Sequence, residues 1–322
     1  MNSTFTIKPC YVCGGSAFSN AVKESPIEER FGVPVLPANA YVQMRCKNCG
    51  LLFVDCDVTE EYLSALYSKE SVDWQLNYTK SSSSETIGRS RISEFSYVWR
   101  SAIQVRNPRA GENVLDVGSQ TGEFCKIAMS ESAVIPFGIE LSADYASKCR
   151  AQWQGKGHVH VGTIASSNFK KQTFAYVSAQ EVLEHMVDPK GALRALHDLL
   201  TADGLLVVSV PSSHYFLVKY WLFKLAMPIA RFLGQREKDG ISRPKVLVHT
   251  HLYNFSPKSL KLMLSDVGFM PKRVQGIGWH GKLENFGRFV GGMISGISIG
   301  HLLFYPSILC VAVKKRGQSE AP

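Results

Sequence analysis

Three side chains capable of chemistry fall within five residues of EVLEHMVDP, residues 181–189: Glu181, Glu184 and His185. On a helix, positions i, i+3 and i+4 share one face. If the segment is helical, two carboxylates and an imidazole point the same way. Such a group could act as a general base, ligate a divalent cation, or form a polar turn. A histidine pair, His249-Thr-His251, offers a further imidazole. A second set consists of thiols: Cys10-Tyr-Val-Cys13-Gly and Cys46-Lys-Asn-Cys49-Gly. Each CxxC hairpin can aim two thiolates at one cation, and two hairpins complete a tetrahedral zinc site of four thiolates. The glycine after each second cysteine lets the chain turn tightly beneath the sulfurs. The 32-residue gap is longer than the common ribbon spacing, and residues 31–44 could supply intervening strands. A redox pair is the rival reading. A closed four-thiolate site would be structural, with no coordination position left for catalysis. Cys56, Cys125, Cys149 and Cys310 stand alone and read as ordinary core or surface thiols.

The elements that must position these groups alternate. NVLDVG (113–118), VIPFGIE (134–140), HVHVG (158–162), FAYVSA (174–179) and GLLVVSVP (204–211) read as buried strands. Helices are expected between them at 121–130, 142–153 and 189–201, the last begun by Asp188 as N-cap and Pro189 at its first position. Strand–helix alternation argues for an α/β fold with a parallel sheet covered on both faces. Ligands of such sheets bind at the C-terminal ends of the strands. Gly118-Ser119-Gln120-Thr121-Gly122 lies at the first such end. Glu140 lies at the second, 24 residues after Asp116, where a carboxylate can accept both hydroxyls of a ribose. Towards the N-terminus, 59–70 reads as a short helix, 80–85 as a flexible loop and 85–103 as a helix leading into the next domain. Towards the C-terminus, 256–269 reads as a helix capped by Ser256, with strands at 270–276 and 305–315.

Charge is unevenly spread. Residues 1–100 and 101–210 each carry net −1, whereas residues 211–322 carry 16 basic and 5 acidic groups. The basic excess points to a solvated face or to an anionic partner: a phosphorylated substrate, a lipid surface or nucleic acid. The first residues, MNSTFTIKPC, lack a basic head followed by an apolar run. A cytoplasmic location with reduced thiols is expected, with peripheral attachment at the inner face of the membrane as an extension.

VLDVGSQTGEF, GIELS, FAYVSAQEVLEHMVDP and LLTADGLLVVSVPSS, in that order, resemble the class I S-adenosylmethionine-dependent methyltransferases. The resemblance implies a Rossmann-like seven-stranded sheet whose last strand is antiparallel, preceded here by a small zinc-binding module. It implies that Gly118, Ser119, Gln120 and Gly122 hold the methionine part of S-adenosylmethionine, and that Glu140 holds its ribose. Thr163 and Ile164 would lie near the adenine and Gln180 in the pocket wall, with Asp116 and Leu141 completing the cofactor set. The paired CxxC module is similar to those of bacterial methyltransferases acting on sugars or other metabolites. Gln120 departs from the family's usual glycine, and Ala175 from its usual aspartate before the fourth strand.

The Glu-x-x-Glu-His pattern, followed by His251-Leu-Tyr-Asn-Phe-Ser, resembles the ubiquinone-pathway O-methyltransferases and the enzymes that methylate the 2′-hydroxyl at small-RNA 3′ ends. That resemblance implies Glu181, Glu184, His185 and His251 as ligands of Mg2+ or Mn2+. A single-base role for His185 or His251, assisted by Glu181, and a purely structural role remain alternatives.

The sequence thus divides into a zinc-ribbon-like module over 1–58, a helical linker over 59–108 and a methyltransferase domain over 109–322. That domain carries apolar, basic insertions at 212–250 and 277–304. Both insertions follow parallel strands, so both emerge on the cofactor side. They could roof the site against water or dock on an anionic membrane. Residues 289–313 hold 25 residues without Lys, Arg, Asp or Glu, long enough to span a bilayer. Their second half is needed as a core strand and Pro306 divides them, which argues against a span. The expected activity is methyl transfer to a small or lipid-linked metabolite, a hydroxylated saccharide-type or anionic acceptor. An RNA ribose modifier and a non-catalytic cofactor-binding or membrane-adaptor protein are the alternatives.

Overall fold

Near-continuous apolar runs form the centre of the fold, as strands covered on both faces require. A computed structural model describes residues 9–23, 42–54, 84–232, 251–278 and 305–315. The expected helix at 59–70, His249, Cys56 and most of the two insertions lie outside them. Three strands come from the cysteine region: β1 (Phe18–Lys23), β2 (Val42–Cys46) and β3 (Leu52–Val54). Helix α1 (Ser84–Ile103) follows. Then come β4 (Asn113–Val117), α2 (Glu123–Ser132), β5 (Ile135–Glu140), α3 (Ala143–Gln152), β6 (His158–Val161) and β7 (Phe174–Gln180). The chain continues through α4 (Pro189–Leu199), β8 (Leu200–Pro211), α5 (Ser213–Phe232), β9 (Tyr253–Asn254), α6 (Pro257–Asp266), β10 (Phe269–Ile277) and β11 (Ser307–Lys314).

Seven strands form one sheet in the order β10-β11-β8-β7-β4-β5-β6. All pairings from β8 to β6 are parallel, while β11 runs antiparallel to both β8 and β10. This is the seven-stranded methyltransferase sheet with its antiparallel last strand, as expected. One face packs Leu115, Val177, Leu193 and Leu260, and the other packs Trp99, Phe124, Tyr176 and Val207. Trp99 of α1 is fully buried, 5.0 Å from the Tyr176 ring, with its indole N–H donating to Ser132 Oγ at 3.1 Å. β11 places Ile308–Ala312, the end of the apolar run at 289–313, in the core, while residues 289–304 lie outside the described residues. No helix among the described residues is long and apolar enough to cross a membrane.

The caps read from sequence are present. The Asp188 carboxylate accepts from the Gly191 amide at 2.9 Å, with Pro189 opening α4. Ser256 and Ser259 cap α6 reciprocally.

Three features differ from expectation. β8 begins at Leu200 rather than 204, because its pairing with β7 extends back to Phe174 across a register shift. The segment 181–185 is not an α-helix. Glu181 has φ 52° and only Leu183–His185 form a single 3-10 turn, so the three polar side chains do not share a helix face. Three strands, β1, β3 and β9, carried no readable signal; of the strands expected within 31–44, β2 covers 42–44 and residues 31–41 lie outside the described residues. β1–β2–β3–β9 form a second sheet, antiparallel throughout, in which Leu52 pairs with Asn254 and Phe53 with Tyr253.

Candidate active site and metal centres

Parallel strands β4, β5, β6, β7 and β8 all end on one edge, and the chemistry-bearing residues collect there. After β4 the chain folds back on β5: the Gly118 and Ser119 amides donate to the Ile139 carbonyl at 2.8 and 3.2 Å. The turn takes left-handed φ values at Gly118 (72°), Gln120 (46°) and Gly122 (88°). A Cβ on Gly118 would stand 2.9 Å from Val182 Cγ2, and one on Gly122 would stand 2.7 Å from Trp153 Nε1. Both glycines are therefore fixed by backbone conformation and by packing. Gln120 departs from glycine at a position where left-handed backbone costs a non-glycine residue about 1 kcal/mol or more.

Glu140 closes this turn. Its two carboxylate oxygens accept from the Gln120 amide (2.8 Å) and the Ser142 amide (2.9 Å). Each oxygen keeps a second acceptor site for a hydroxyl. Leu141, directly after it, leaves an apolar side chain 55% exposed at the strand end. Asp116 lies buried on β4 opposite Ser178. Burial raises its carboxyl to about 7; the Ser178 hydrogen bond opposes the rise and the nearby Glu140 charge adds to it. Thr163 and Ser166 form a hydroxyl-bonded turn after β6, with the Thr163 amide donating to Ser166 Oγ at 2.9 Å. Ile164 packs on the core beside it. Gln180 ends β7 with its amide donating to Ser178 Oγ at 2.9 Å. Ala175, the second departure, is buried at the opposite end of β7, about 16 Å of strand away from Gln180, so it does not touch this edge.

The segment after β7 carries the unusual group. Glu184 is fully buried, and neither carboxyl oxygen has a hydrogen-bond partner among the described residues. His185 Nε2 lies 3.7 Å from Glu184 Oε1, and His251 Nε2 lies 3.8 Å from the same oxygen. The two imidazole rings meet edge to face with centroids 4.7 Å apart. Burial pushes the Glu184 carboxyl well above the usual carboxylate range, and the neighbouring Glu181 charge adds to that. Burial, with the His185 charge second, pulls His251 down to about 3, so its imidazole is neutral at neutral pH.

Glu181 behaves differently. The residue is exposed at the end of β7; desolvation raises its carboxyl to about 7, opposed by hydrogen bonds with Ser307, Ser209 and Glu184 and assisted by the Glu94 charge. Of the four residues implied as cation ligands, the fold brings Glu184, His185 and His251 within 4.8 Å of one another; Glu181 stands outside that group. Glu181, at φ 52°, precedes the 3-10 turn, and its carboxyl faces that of Glu184. Donor atoms about 2.1 Å from a common cation are themselves about 3–4 Å apart. An orphaned carboxylate flanked by two imidazole nitrogens at 3.7–3.8 Å fits such a cation.

The four thiols also converge. Cys10 Sγ lies 3.7 Å from Cys49 Sγ, and Cys13 Sγ lies 3.5 Å from Cys46 Sγ. Sulfurs bound tetrahedrally to zinc at about 2.3 Å are about 3.8 Å apart, so this donor set fits zinc. No sequence signal marked Ser209 and Ser307, which flank Glu181 from neighbouring strands. Only their adjacency in the β8–β11 register, where Ser307 meets Pro211, brings them there.

The sequence matches the protein family described as "Methyltransferase domain" over residues 92–271, more than half of the chain. No curated protein matches it. Among solved structures, the chain is similar to the 1,6-didemethyltoxoflavin-N1-methyltransferase of Burkholderia thailandensis, whose structure holds 1,6-didemethyltoxoflavin and S-adenosylhomocysteine. Identity is 14%, coverage is 84% of this chain and 97% of that one, and the TM-score is 0.50. A Thermotoga maritima protein described as a possible histamine N-methyltransferase shares 16% identity over 76% of this chain and 96% of its own, with a TM-score of 0.47.

Proposed function

The chain belongs to the methyltransferase-domain family as a class I S-adenosylmethionine-dependent methyltransferase, and from that premise we propose that it methylates a hydroxyl on a small or lipid-linked, saccharide-type or anionic acceptor. The observation that carries this reading is the Glu184–His185–His251 cluster, a buried carboxyl and two imidazoles set beside the cofactor turn. A thiolate acceptor needs no such group. A hydroxyl must lose its proton to become nucleophilic, so it does.

Roles follow from position. Gly118, Ser119, Gln120 and Gly122 cradle the amino-acid end of the cofactor, and Glu140 takes the ribose through its free acceptor sites. Asp116, Leu141, Thr163, Ile164 and Gln180 complete that wall. S-adenosylmethionine supplies the electrophilic methyl, and the C–S bond electrons remain with sulfur. Glu184, His185 and His251 would hold Mg2+ or Mn2+, which lowers the pKa of an acceptor hydroxyl. Neutral His251 keeps its nitrogen lone pair available at neutral pH. Glu181, accessible and raised to about 7, accepts the hydroxyl proton near its own pKa. The four cysteines would hold zinc as a closed structural site. Paramagnetic resonance with Mn2+ tests the cluster: the full chain is expected to bind one ion there, and Glu184→Gln to lose that site. Equal Mn2+ binding by both proteins would exclude it.

A second reading concerns place. Helix α5 exposes Val218, Trp221, Leu222 and Leu225 by 40–68%. Lys224 stacks its ammonium over the Tyr220 and Trp221 rings at 4.9 and 5.6 Å. Exposed apolar and aromatic residues at helical spacing with lysines beside them suit an anionic bilayer surface. Co-flotation with vesicles containing phosphatidylglycerol is expected, weakened about fivefold or more in Trp221→Ser/Leu225→Ser. Flotation that survives both changes would contradict peripheral attachment through α5.

A further inference from the structure

The cysteine centre and the histidine of the site are joined by one short piece of chain. β9 is the fourth strand of the cysteine-bearing sheet, and it begins two residues after His251. Residues 252–258 are gripped on one side by the second cysteine knuckle. The Val54 amide donates to the Leu252 carbonyl at 3.1 Å, Ser256 Oγ to the Cys49 carbonyl at 2.5 Å, and Lys258 Nζ to the Asn48 carbonyl at 2.6 Å. The fit is close at Gly50, where φ is 76° and a Cβ would stand 3.2 Å from Ser256.

On the other side the same piece is bonded to the catalytic edge. The Leu252 amide donates to the Glu184 carbonyl at 2.7 Å, and the Phe255 amide to the Pro211 carbonyl at 2.9 Å. The first knuckle grips the opposite flank. The Tyr11 hydroxyl bonds the Asp188 carboxylate and accepts from the Lys190 amide at 2.9 Å. Both knuckles thus hold the segments that flank the Glu184–His185–His251 cluster.

We propose that the Cys10/Cys13/Cys46/Cys49 centre is a positioning device for the active site: by fixing the knuckle at 46–50 it sets β9, and through β9 the approach of His251 to Glu184. This rests on the reading that the thiols hold zinc and that His251 belongs to the site. β1, β2 and β3 have only 6, 5 and 3 residues, and a metal at the four thiols would cross-link the two knuckles beside them. Leu252 adjoins His251, so releasing the Leu252–Glu184 bond frees the imidazole. A displacement of about 1 Å is enough to cost on the order of a hundredfold in rate. Cys10, Cys13, Cys46 and Cys49 touch no reacting atom; they act through β9.

The test strips zinc from the full chain with a mercurial and confirms its loss by mass spectrometry. Amide hydrogen exchange at Leu252 and S-adenosylmethionine affinity are read before and after. Leu252 is expected to exchange about tenfold faster or more, reversibly on zinc return, while cofactor affinity moves by less than about threefold. Lys258→Met, with zinc retained, is expected to speed Leu252 exchange by about threefold. Unchanged Leu252 protection after verified zinc loss overturns the proposal. So does loss of cofactor binding together with protection, because the centre would then support the whole fold. A purified chain without metal at the cysteines overturns it too. Neither readout needs methyl transfer or a cation at Glu184, so this proposal and the functional reading fail separately.

Discussion

Replacing His251 by alanine is expected to lower the methyl-transfer rate by about a hundredfold or more, leaving S-adenosylmethionine affinity within about threefold of the native chain. The imidazole nitrogen stands 3.8 Å from the buried Glu184 carboxyl. The turn at 118–122, proposed to cradle the cofactor, is instead bonded to β5 and Glu140. Removing the ring therefore strips the acceptor side of the site and spares the cofactor side. Turnover under saturating cofactor, with calorimetric titration of S-adenosylhomocysteine as the control, separates the two effects. Full activity in His251→Ala would remove the histidine from the mechanism. Loss of cofactor binding with activity would make its role structural.

Asp116→Asn is expected to stabilise the ligand-free protein at pH 8 by on the order of 3 kcal/mol, and hardly at all at pH 4. The sign follows from the direction of the shift. Burial raises the Asp116 carboxyl from 3.8 to about 7 in the folded state, so the folded chain binds that proton more tightly than the unfolded chain. Stability is full below the unfolded value and is lost as pH rises through about 7. Asparagine has no proton to lose and escapes that penalty. Thermal unfolding of both proteins from pH 4 to 8 should diverge by roughly 5–10 °C at the upper end. Parallel curves would show that Asp116 is ionised in the folded state without cost. The cofactor carries a positive sulfonium, which favours ionised Asp116. Its affinity for the native chain should therefore rise with pH through the same window, and in Asp116→Asn should stay flat.

The α/β sheet was legible because its signals are local. Runs such as NVLDV and LLVVSV, closed by glycine turns and by the Asp188-Pro189 start signal, each specify an element without help from the rest of the chain. The cysteine pairs were legible for the same reason, since CxxCG is a spacing within five residues. β9 was not legible. Its two residues pair with Leu52 and Phe53 some 200 positions earlier, and nothing in His251-Leu-Tyr-Asn-Phe announces such a partner. Of the two readings of Glu181, Glu184 and His185, helix face or polar turn, the turn is the one formed; spacing alone does not choose between them because periodicity says nothing about a left-handed residue at the start. Glu181 at φ 52° holds a sparsely populated backbone conformation. The convergence of His251 on Glu184 followed from the resemblance rather than from spacing. Its physical basis, the Leu252–Glu184 backbone bond at 2.7 Å, is visible only in the fold.

The central claim is a cofactor-dependent methyl transfer to a hydroxyl, served by the cluster at the end of β7. Its most direct measurement is transfer of labelled methyl from S-adenosylmethionine to fractionated cell extract by the full chain, run with Mn2+ and with excess EDTA. A labelled, hydroxyl-derived methyl ether is expected to form with Mn2+ and to fall to background in EDTA. Label fixed equally well in EDTA, or fixed on nitrogen or sulfur, would contradict it.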